Sequence, residues 1–505
     1  MNPKDVLLVK PDARQWRPEY LVAAACAIQI IIWTLVPALS NHAPPIDVVE
    51  GYMWGREWVI GTYKHPALPS WVLEATRVVT GTTGWPAYLV SQLFMVATLS
   101  FVFLLGREMF GAVRGAAATL LLFGVYYFSW PTPEFNHNVA QMPFWASFIW
   151  ALWRAVEHPR MDRWALLGAL GGALLYTKLS SGILPIVASL WMLADPKARK
   201  TLATPGPWVA VVVAALITAP LFYWLWTTQF HALIYASQRA QSGSSINQLE
   251  FAVMQLAFHV GMLVMMAAAG LFRRKVTTPA DAPPPPSSRI RNFILAMSIG
   301  PFVLVIAIAL ALGVGMRSPW GASLSIMSGL LMVLLTWQRF TDETLRSIAI
   351  GAAVALIIVP LAYAGDVKFG WRKPNQGQTF RLQRNNWPQR EISKRMLAEW
   401  QRETGRPLRI VVGEMWIAGQ VALNAPGSPS IMEVLKTRSP WVTERDLKAH
   451  GAIVVWSEPG CCSPGSIKSF YPAMGPMRRI TIPWPREPDK EPITIGYAII
   501  KPAAK

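Results

Sequence analysis

The chain reads as a series of apolar runs separated by short basic or proline-rich connections. Eleven runs stand at about 20–38, 86–105, 115–130, 139–153, 164–177, 181–194, 207–226, 251–271, 292–313, 320–337 and 346–363. An α-helix needs roughly 20 apolar residues to cross a bilayer, so this spacing predicts about 11 transmembrane helices. Several runs are short for a full crossing, which leaves room for one re-entrant hairpin. The run after the polar residues 1–18 has no small-residue cleavage site behind it and reads as a signal anchor.

Basic residues sort the connections into two sides. Lys4, Lys10, Arg14 and Arg17 precede the first run; Arg107 and Arg114 follow the second; Arg154, Arg160 and Arg163 follow the fourth. Lys197, Arg199 and Lys200 follow the sixth, Arg273, Arg274, Lys275, Arg289 and Arg291 the eighth, and Arg339 and Arg346 the tenth. The positive-inside rule makes all of these cytoplasmic, with the N-terminus inside and the C-terminus outside. Six cations then stand on the wrong side: Arg56, Lys64, Arg77, Lys178, Arg239 and Arg317. Cations kept there bind an anion or snorkel at the interface.

After residue 363 the pattern changes. LRIVVGE (408–414) and AIVVW (452–456) alternate like core strands, and SKRMLAEWQRETG (393–405) has helical spacing with Gly405 as its cap. Residues 364–505 thus read as a small α/β periplasmic domain behind a transmembrane domain at 1–363, whose outer loops are 41–85, 131–138 and 227–250. The domain holds 22 basic and 12 acidic residues, which suits a surface facing anionic headgroups or polysaccharide, or simply a solvated one.

Composition narrows the classes further. With 53% hydrophobic and only 15% charged residues among 505, a soluble enzyme, a disordered chain and a disulfide scaffold are excluded. The net charge of +19 resembles that of a nucleic-acid binder, but the cations punctuate membrane runs, so no nucleic acid is expected. Cys26 lies inside the first run and reads as inert, while Cys461 and Cys462 are adjacent and fit either a disulfide or two thiols.

The candidate chemistry is in the outer loops. In HAPPIDVVEGYMWGREWVIGTYKHPALPSWVLEATR (42–77), Asp47 and Glu50 share a face with Trp54 if the stretch is helical, and Arg56, Lys64 and His65 follow. A carboxylate beside clustered cations can accept a proton from an attacking hydroxyl while the cations neutralise a departing phosphate. A salt-bridged interfacial helix is the bland alternative. Tyr52, Trp54 and Tyr63 fit either sugar stacking or interfacial anchoring. A second outer loop carries Glu134, Asn136, His137 and Asn138, and Lys178 sits between two runs.

The stretch from Asp47 to Leu68 resembles the first periplasmic loop of bacterial glycosyltransferase family 39. Asp47, Tyr52, Trp54, Gly61, Tyr63, His65, Pro66 and Leu68 stand at matching offsets, with Val48 in place of the family's second acid and Ala67 in place of its second proline. The 131–152 and 174–200 stretches are similar to the family's second outer loop and its lysine-containing hairpin. The resemblance implies a GT-C fold in the bacterial inner membrane and inverting transfer from a polyprenyl-phosphate sugar. Its acceptor would be lipid A, lipopolysaccharide core or another envelope molecule. It implies Asp47 as general base, with Glu50 beside it, and Arg56, Lys64, Lys178 and Arg317 as donor-phosphate ligands. Tyr52, Trp54, Tyr63, His65, Glu134, Asn136, His137 and Asn138 would line the substrate. No cofactor is certain, and a divalent cation is left open. Protein O-mannosylation and, from another class, a lipid-linked-sugar flippase are the alternatives; a transporter would need charges buried mid-span or paired repeats.

Overall fold

The computed structural model describes residues 17–241, 246–272, 284–370, 384–458, 464–486, 489 and 491–503. Cys461 and Cys462, most of the basic N-terminal segment and Arg273, Arg274 and Lys275 lie outside the described residues.

The eleven apolar runs all fall on helices, but not all are simple spans. Pro18–Ser40, Trp85–Phe110, Pro205–Thr227, Gln248–Ala268, Ser288–Ala311 and Glu343–Phe369 are long and apolar enough to cross a membrane. The predicted 320–337 run is a broken pair, Ser318–Ser325 and Ser328–Leu335, bent by 58°. The 115–130 run is a helix only over Ala112–Leu121, followed by two short turns. His137–Glu157 carries polar residues yet is buried on nearly every face. Such helices meet protein rather than lipid, so they need neither the full length nor the uniform apolarity of a lipid-facing span. At the side read as cytoplasmic, Arg289 binds Asp195 and Glu157, and Lys197 binds Glu157 at 2.8 Å, pinning three helices together. Multiple apolar helices around one interior make this a multi-pass membrane protein.

Three outer helices have no apolar run to announce them: Ile46–Gly55, Leu68–Thr80 and His231–Ala240. Leu68–Thr80 buries Pro69, Ser70, Leu73 and Glu74 and exposes Ala75, Val78, Val79 and Thr80. Glu74 also holds Arg77 at 2.6 Å, so the anion beside that wrong-side cation is part of its own helix.

The C-terminal unit is a five-stranded mixed sheet in the order β2-β1-β3-β5-β4. β1 (Ile410–Gly413) lies parallel to β2 (Ser430–Met432) and β3 (Ala452–Glu458), while β5 (Ile493–Ile500) runs antiparallel to β3 and β4 (Arg478–Ile482). The predicted helix is Gln389–Thr404, closed by Gly405 at φ +62°, where a side chain would be strained. The last span continues past residue 363 to Phe369, with Tyr363 packed on Trp33 at 5.7 Å.

This sheet unit is not an appendage. Its Met415–Ala422 helix packs against Ile46–Gly55, and their buried residues belong to one core. Gly419 permits the approach, because a side chain there would run into Val49 Cγ1. Arg56 closes the joint, donating to the carbonyls of Ala422 at 3.0 Å and Leu423 at 2.9 Å, where the end of a helix presents unpaired oxygens.

Gly419→Val is therefore expected to force the two units apart. Overpacking of this kind costs about 1–3 kcal/mol. A lowered melting temperature together with faster proteolysis of the full-length protein is the expected readout; wild-type values for both would refute tight docking.

Candidate functional site

The Ile46–Gly55 helix starts behind Pro44-Pro45, with the Pro45 carbonyl accepting the N–H groups of Val48 and Val49, both at 3.1 Å. Asp47 lies in its first turn, where the helix dipole favours a carboxylate. At about 100° per residue, Asp47, Glu50 and Trp54 share one face, and Tyr52 and Arg56 point the other way. The structure follows that geometry. Glu50 accepts from Lys64 at 2.5 Å, and Trp54 lies under the same ammonium. Tyr52 is fully buried with an unpartnered hydroxyl, and Arg56 is spent on the C-terminal unit. The structure thus does not bring Tyr52 and Arg56 to the cleft; helical phase separates them from it.

A tight loop closed by a bridge between Gly61 and Pro66 presents Tyr63, Lys64 and His65. Lys64 is boxed by the rings of Trp54, Tyr63 and Tyr235, at 5.4–5.9 Å. The second outer loop meets this one from below. Glu134 Oε1 accepts the Asp47 backbone N–H at 3.2 Å, and Asn136 Nδ2 donates to Asp47 Oδ2 at 2.9 Å. Asn136 Oδ1 caps the His137–Glu157 helix by accepting from the N–H groups of Asn138 and Val139. Asn138 Oδ1 in turn accepts from Lys178 Nζ at 2.8 Å. His137 Nε2 lies 3.2 Å from the Pro66 carbonyl, so Nε2 must carry the proton. Its ring rests on that of His65 at 4.0 Å.

The charges sort themselves. Lys178 is 9% exposed, and its hydrogen-bond partner is a neutral amide. No carboxylate pairs with it among the described residues. Burial pulls it down to about 8. Burial would also lower Lys64, but the Glu50 carboxylate and the phenols of Tyr63 and Tyr235 outweigh it, so that ammonium is held charged. Desolvation and the neighbouring Asp47 raise Glu134 to about 8, which leaves it protonated at neutral pH. Burial, with Lys178 and Lys64 nearby, lowers His137 to about 3 and keeps it neutral. His65 is lowered by burial and by His137. Arg317 precedes the turn carrying Trp320, whose ring lies 5.8 Å from Lys178 Nζ.

The residues present do not fit the divalent cation that the resemblance left open. Asp47 and Glu134 each commit an oxygen to a hydrogen bond, and the His137 nitrogen nearest the loop bears a proton. No three His, Cys, Asp or Glu side chains converge as ligands among the described residues. Lys64 and Lys178 bring ammonium groups to this cleft.

Residues 64–224 match the family described as dolichyl-phosphate-mannose-protein mannosyltransferase. The chain is 21% identical over 425 residues to the lipopolysaccharide core galacturonosyltransferase RgtA of Rhizobium johnstonii, covering 82% of this chain and 81% of that one. Its fold is similar to that of ArnT from Cupriavidus metallidurans. Against the structure bound to undecaprenyl phosphate the TM-score is 0.64 at 13% identity, with 94% and 97% of the chains covered. Against the apo structure the TM-score is 0.60 at 13% identity, with 95% and 97% covered. The resemblance read from the outer loops holds: residues 64–224 match that family, and the fold is similar to that of ArnT.

Several residues at the site escape sequence reading. Gln29 donates to Gln92 at 2.8 Å inside the membrane, and Ser91 and Gln92 grip Thr132, two residues before Glu134. Paired glutamines in apolar runs were the available signal. Tyr235, Trp320, Glu433 and Arg438 carried none, since only folding brings them near Lys64 and Lys178.

Asn136→Ala should remove a helix cap and the Asp47 tether at once. Loss of such a cap costs about 1 kcal/mol. The expected result is a modest fall in melting temperature with a much larger fall in turnover; equal, small losses in both would mean that Asn136 is a cap alone.

Proposed function

We propose that this chain transfers a sugar from a polyprenyl-phosphate donor to lipid A or lipopolysaccharide core at the outer face of the bacterial inner membrane. The observation that carries the reading is the buried Lys178 ammonium with no carboxylate partner among the described residues. Such a charge is costly in a dry site unless an anion completes it. A lipid phosphate reaching up from the bilayer supplies that anion. The RgtA relative, named for the lipopolysaccharide core, and the undecaprenyl phosphate in the ArnT structure support the same reading.

The chemistry is a single displacement. Asp47, tethered by Asn136 and the amide N–H bond to Glu134, takes the proton of the acceptor hydroxyl. That oxygen bonds to the anomeric carbon as the bond from that carbon to the phosphate oxygen breaks, with inversion. The electron pair leaves with the phosphate, whose charge Lys178 neutralises, seconded by Lys64 and Arg317. Glu134, protonated, adds no repulsion to the departing phosphate. The neutral imidazoles of His65 and His137 lie between the two lysines without adding charge. The positive-inside pattern supports an N-terminus in the cytoplasm, with this cleft and the sheet unit in the periplasm.

Mass spectrometry of lipid A and core from a deletion strain tests the function: one sugar mass should be missing, and unchanged masses in both would overturn the acceptor. In the purified protein, Asp47→Asn should slow transfer by about 100- to 10,000-fold with donor affinity retained. Lys178→Ala should weaken binding of undecaprenyl phosphate without lowering the melting temperature, because its partner Asn138 is neutral and no charge is stranded; Lys178→Arg should keep part of the affinity. Unchanged affinity with a lower melting temperature would remove Lys178 from the site.

The same residue sets a pH dependence. Its folded value is lowered to about 8, so the ammonium is present below pH 8 and lost above it. An anion binds the charged form, so affinity for undecaprenyl phosphate should be flat near pH 7 and fall up to about tenfold per unit above pH 8. Lys178→Arg should abolish that fall. Alkaline phosphatase fused at Lys505 should be active if the sheet unit is periplasmic; an inactive fusion would invert the orientation.

A further inference from the structure

Glu433 follows β2 in the C-terminal unit, yet its carboxylate reaches the outer cleft. It is 5% exposed. Its N–H donates to Ser439 Oγ at 3.0 Å, and its carbonyl accepts the Tyr471 hydroxyl at 3.0 Å, so its backbone is held from both sides. Oε2 accepts from the Tyr63 hydroxyl at 3.3 Å and makes a long contact with Arg438 Nη1 at 3.5 Å. Oε1 is buried and accepts nothing among the described residues. The Trp54 indole N–H, on the other residue packed at Tyr63, is also buried and unpartnered. Arg438 lies over the Tyr63 ring at 4.7 Å, and its contact with Glu433 uses one of its N–H groups.

Buried polar atoms in folded proteins are almost always satisfied. Here an acceptor and a donor are both left open around one half-buried tyrosine, with a guanidinium at its rim. A pyranose matches that set, since its apolar face packs on an aromatic ring while its hydroxyls both donate and accept. Neither Glu433 nor Arg438 contacts Lys178, while Tyr63 and Trp54 lie against Lys64, so the set adjoins the phosphate-binding cations without using Lys178.

We propose that Tyr63, Trp54, Glu433 and Arg438 form the subsite that recognises the donor's sugar, with Glu433 Oε1 accepting a hydrogen bond from a ring hydroxyl. The C-terminal unit is then a specificity element, and the wrong-side cation Arg56 serves it by holding that unit in place. The proposal rests on the lipid-linked-sugar reading above.

The test measures affinities of the full-length protein for undecaprenyl phosphate and for undecaprenyl phosphate carrying glucose, galacturonate or 4-amino-4-deoxyarabinose. At least one sugar should tighten binding about tenfold or more in the wild type, the range for a hydrogen bond to a charged group. Glu433→Gln should erase most of that gain and leave undecaprenyl phosphate within about twofold. Arg438→Gln, at a half-exposed position, should lose part of the gain and provides the test if Glu433→Gln does not fold. A gain that survives in the folded variants, or a loss equal with and without sugar, would overturn the subsite. So would a wild type that binds undecaprenyl phosphate but gains nothing from any sugar. A wild type that binds no undecaprenyl phosphate would overturn the proposed function instead.

Discussion

One amide organises the outer cleft. Asn136 donates to Asp47 Oδ2 and, through its other atom, caps the helix that begins at His137. The next polar residue of that helix, Asn138, receives the Lys178 ammonium. Carboxylate and buried cation are therefore positioned from the same helix terminus, without touching each other. This separation matters chemically. A direct Asp47–Lys178 pair would neutralise both, leaving a weaker base and no cation for a leaving phosphate. Neutral amides transmit position without cancelling charge.

The two lysines of the cleft differ for the same reason. Lys64 is paired with Glu50 and boxed by three rings, which compensates its charge and fixes its place. Lys178 has an amide and one ring, which fixes its place but leaves its charge open. From sequence Lys64 stands in the 41–85 loop and Lys178 between two apolar runs, and nothing there shows which of them keeps a carboxylate partner. The rank comes from what folding puts beside them.

That contrast describes how far the chain could be read in advance. Apolar runs, their sidedness, the helix closed by Gly405 and the strands around Val411 and Val454 were legible because each depends on near neighbours in sequence. Asp47, Glu50 and Trp54 were legible as one face for the same reason. Helical phase, applied to the same ten residues, would also have turned Tyr52 and Arg56 away, since both lie on the opposite face. Glu433 and Arg438 were beyond reach, because they arrive from a different unit more than 360 residues after Tyr63. The broken 318–335 segment was unreadable too, since the groups that anchor its start, Tyr127 and Gln255 on the Ser318 carbonyl, come from distant parts of the chain.

The C-terminal unit follows from a constraint on the Asp47 helix. Ten residues make less than three turns, too few to be stable alone. The Leu68–Thr80 helix covers one side of it, with Gly51 against Leu73 and Gly55 against Ser70, and the substrate-facing side has to stay open. The remaining side must therefore be covered by protein that is not membrane, and Met415–Ala422 covers it. Gly419 against Val49 and Arg56 on the helix-end carbonyls are the two contacts that make the cover close-fitting. Once the sheet unit is fixed there, the residues after β2 fall beside Tyr63 without any further device. Support of the short helix and recognition at Tyr63 are thus consequences of a single docking geometry.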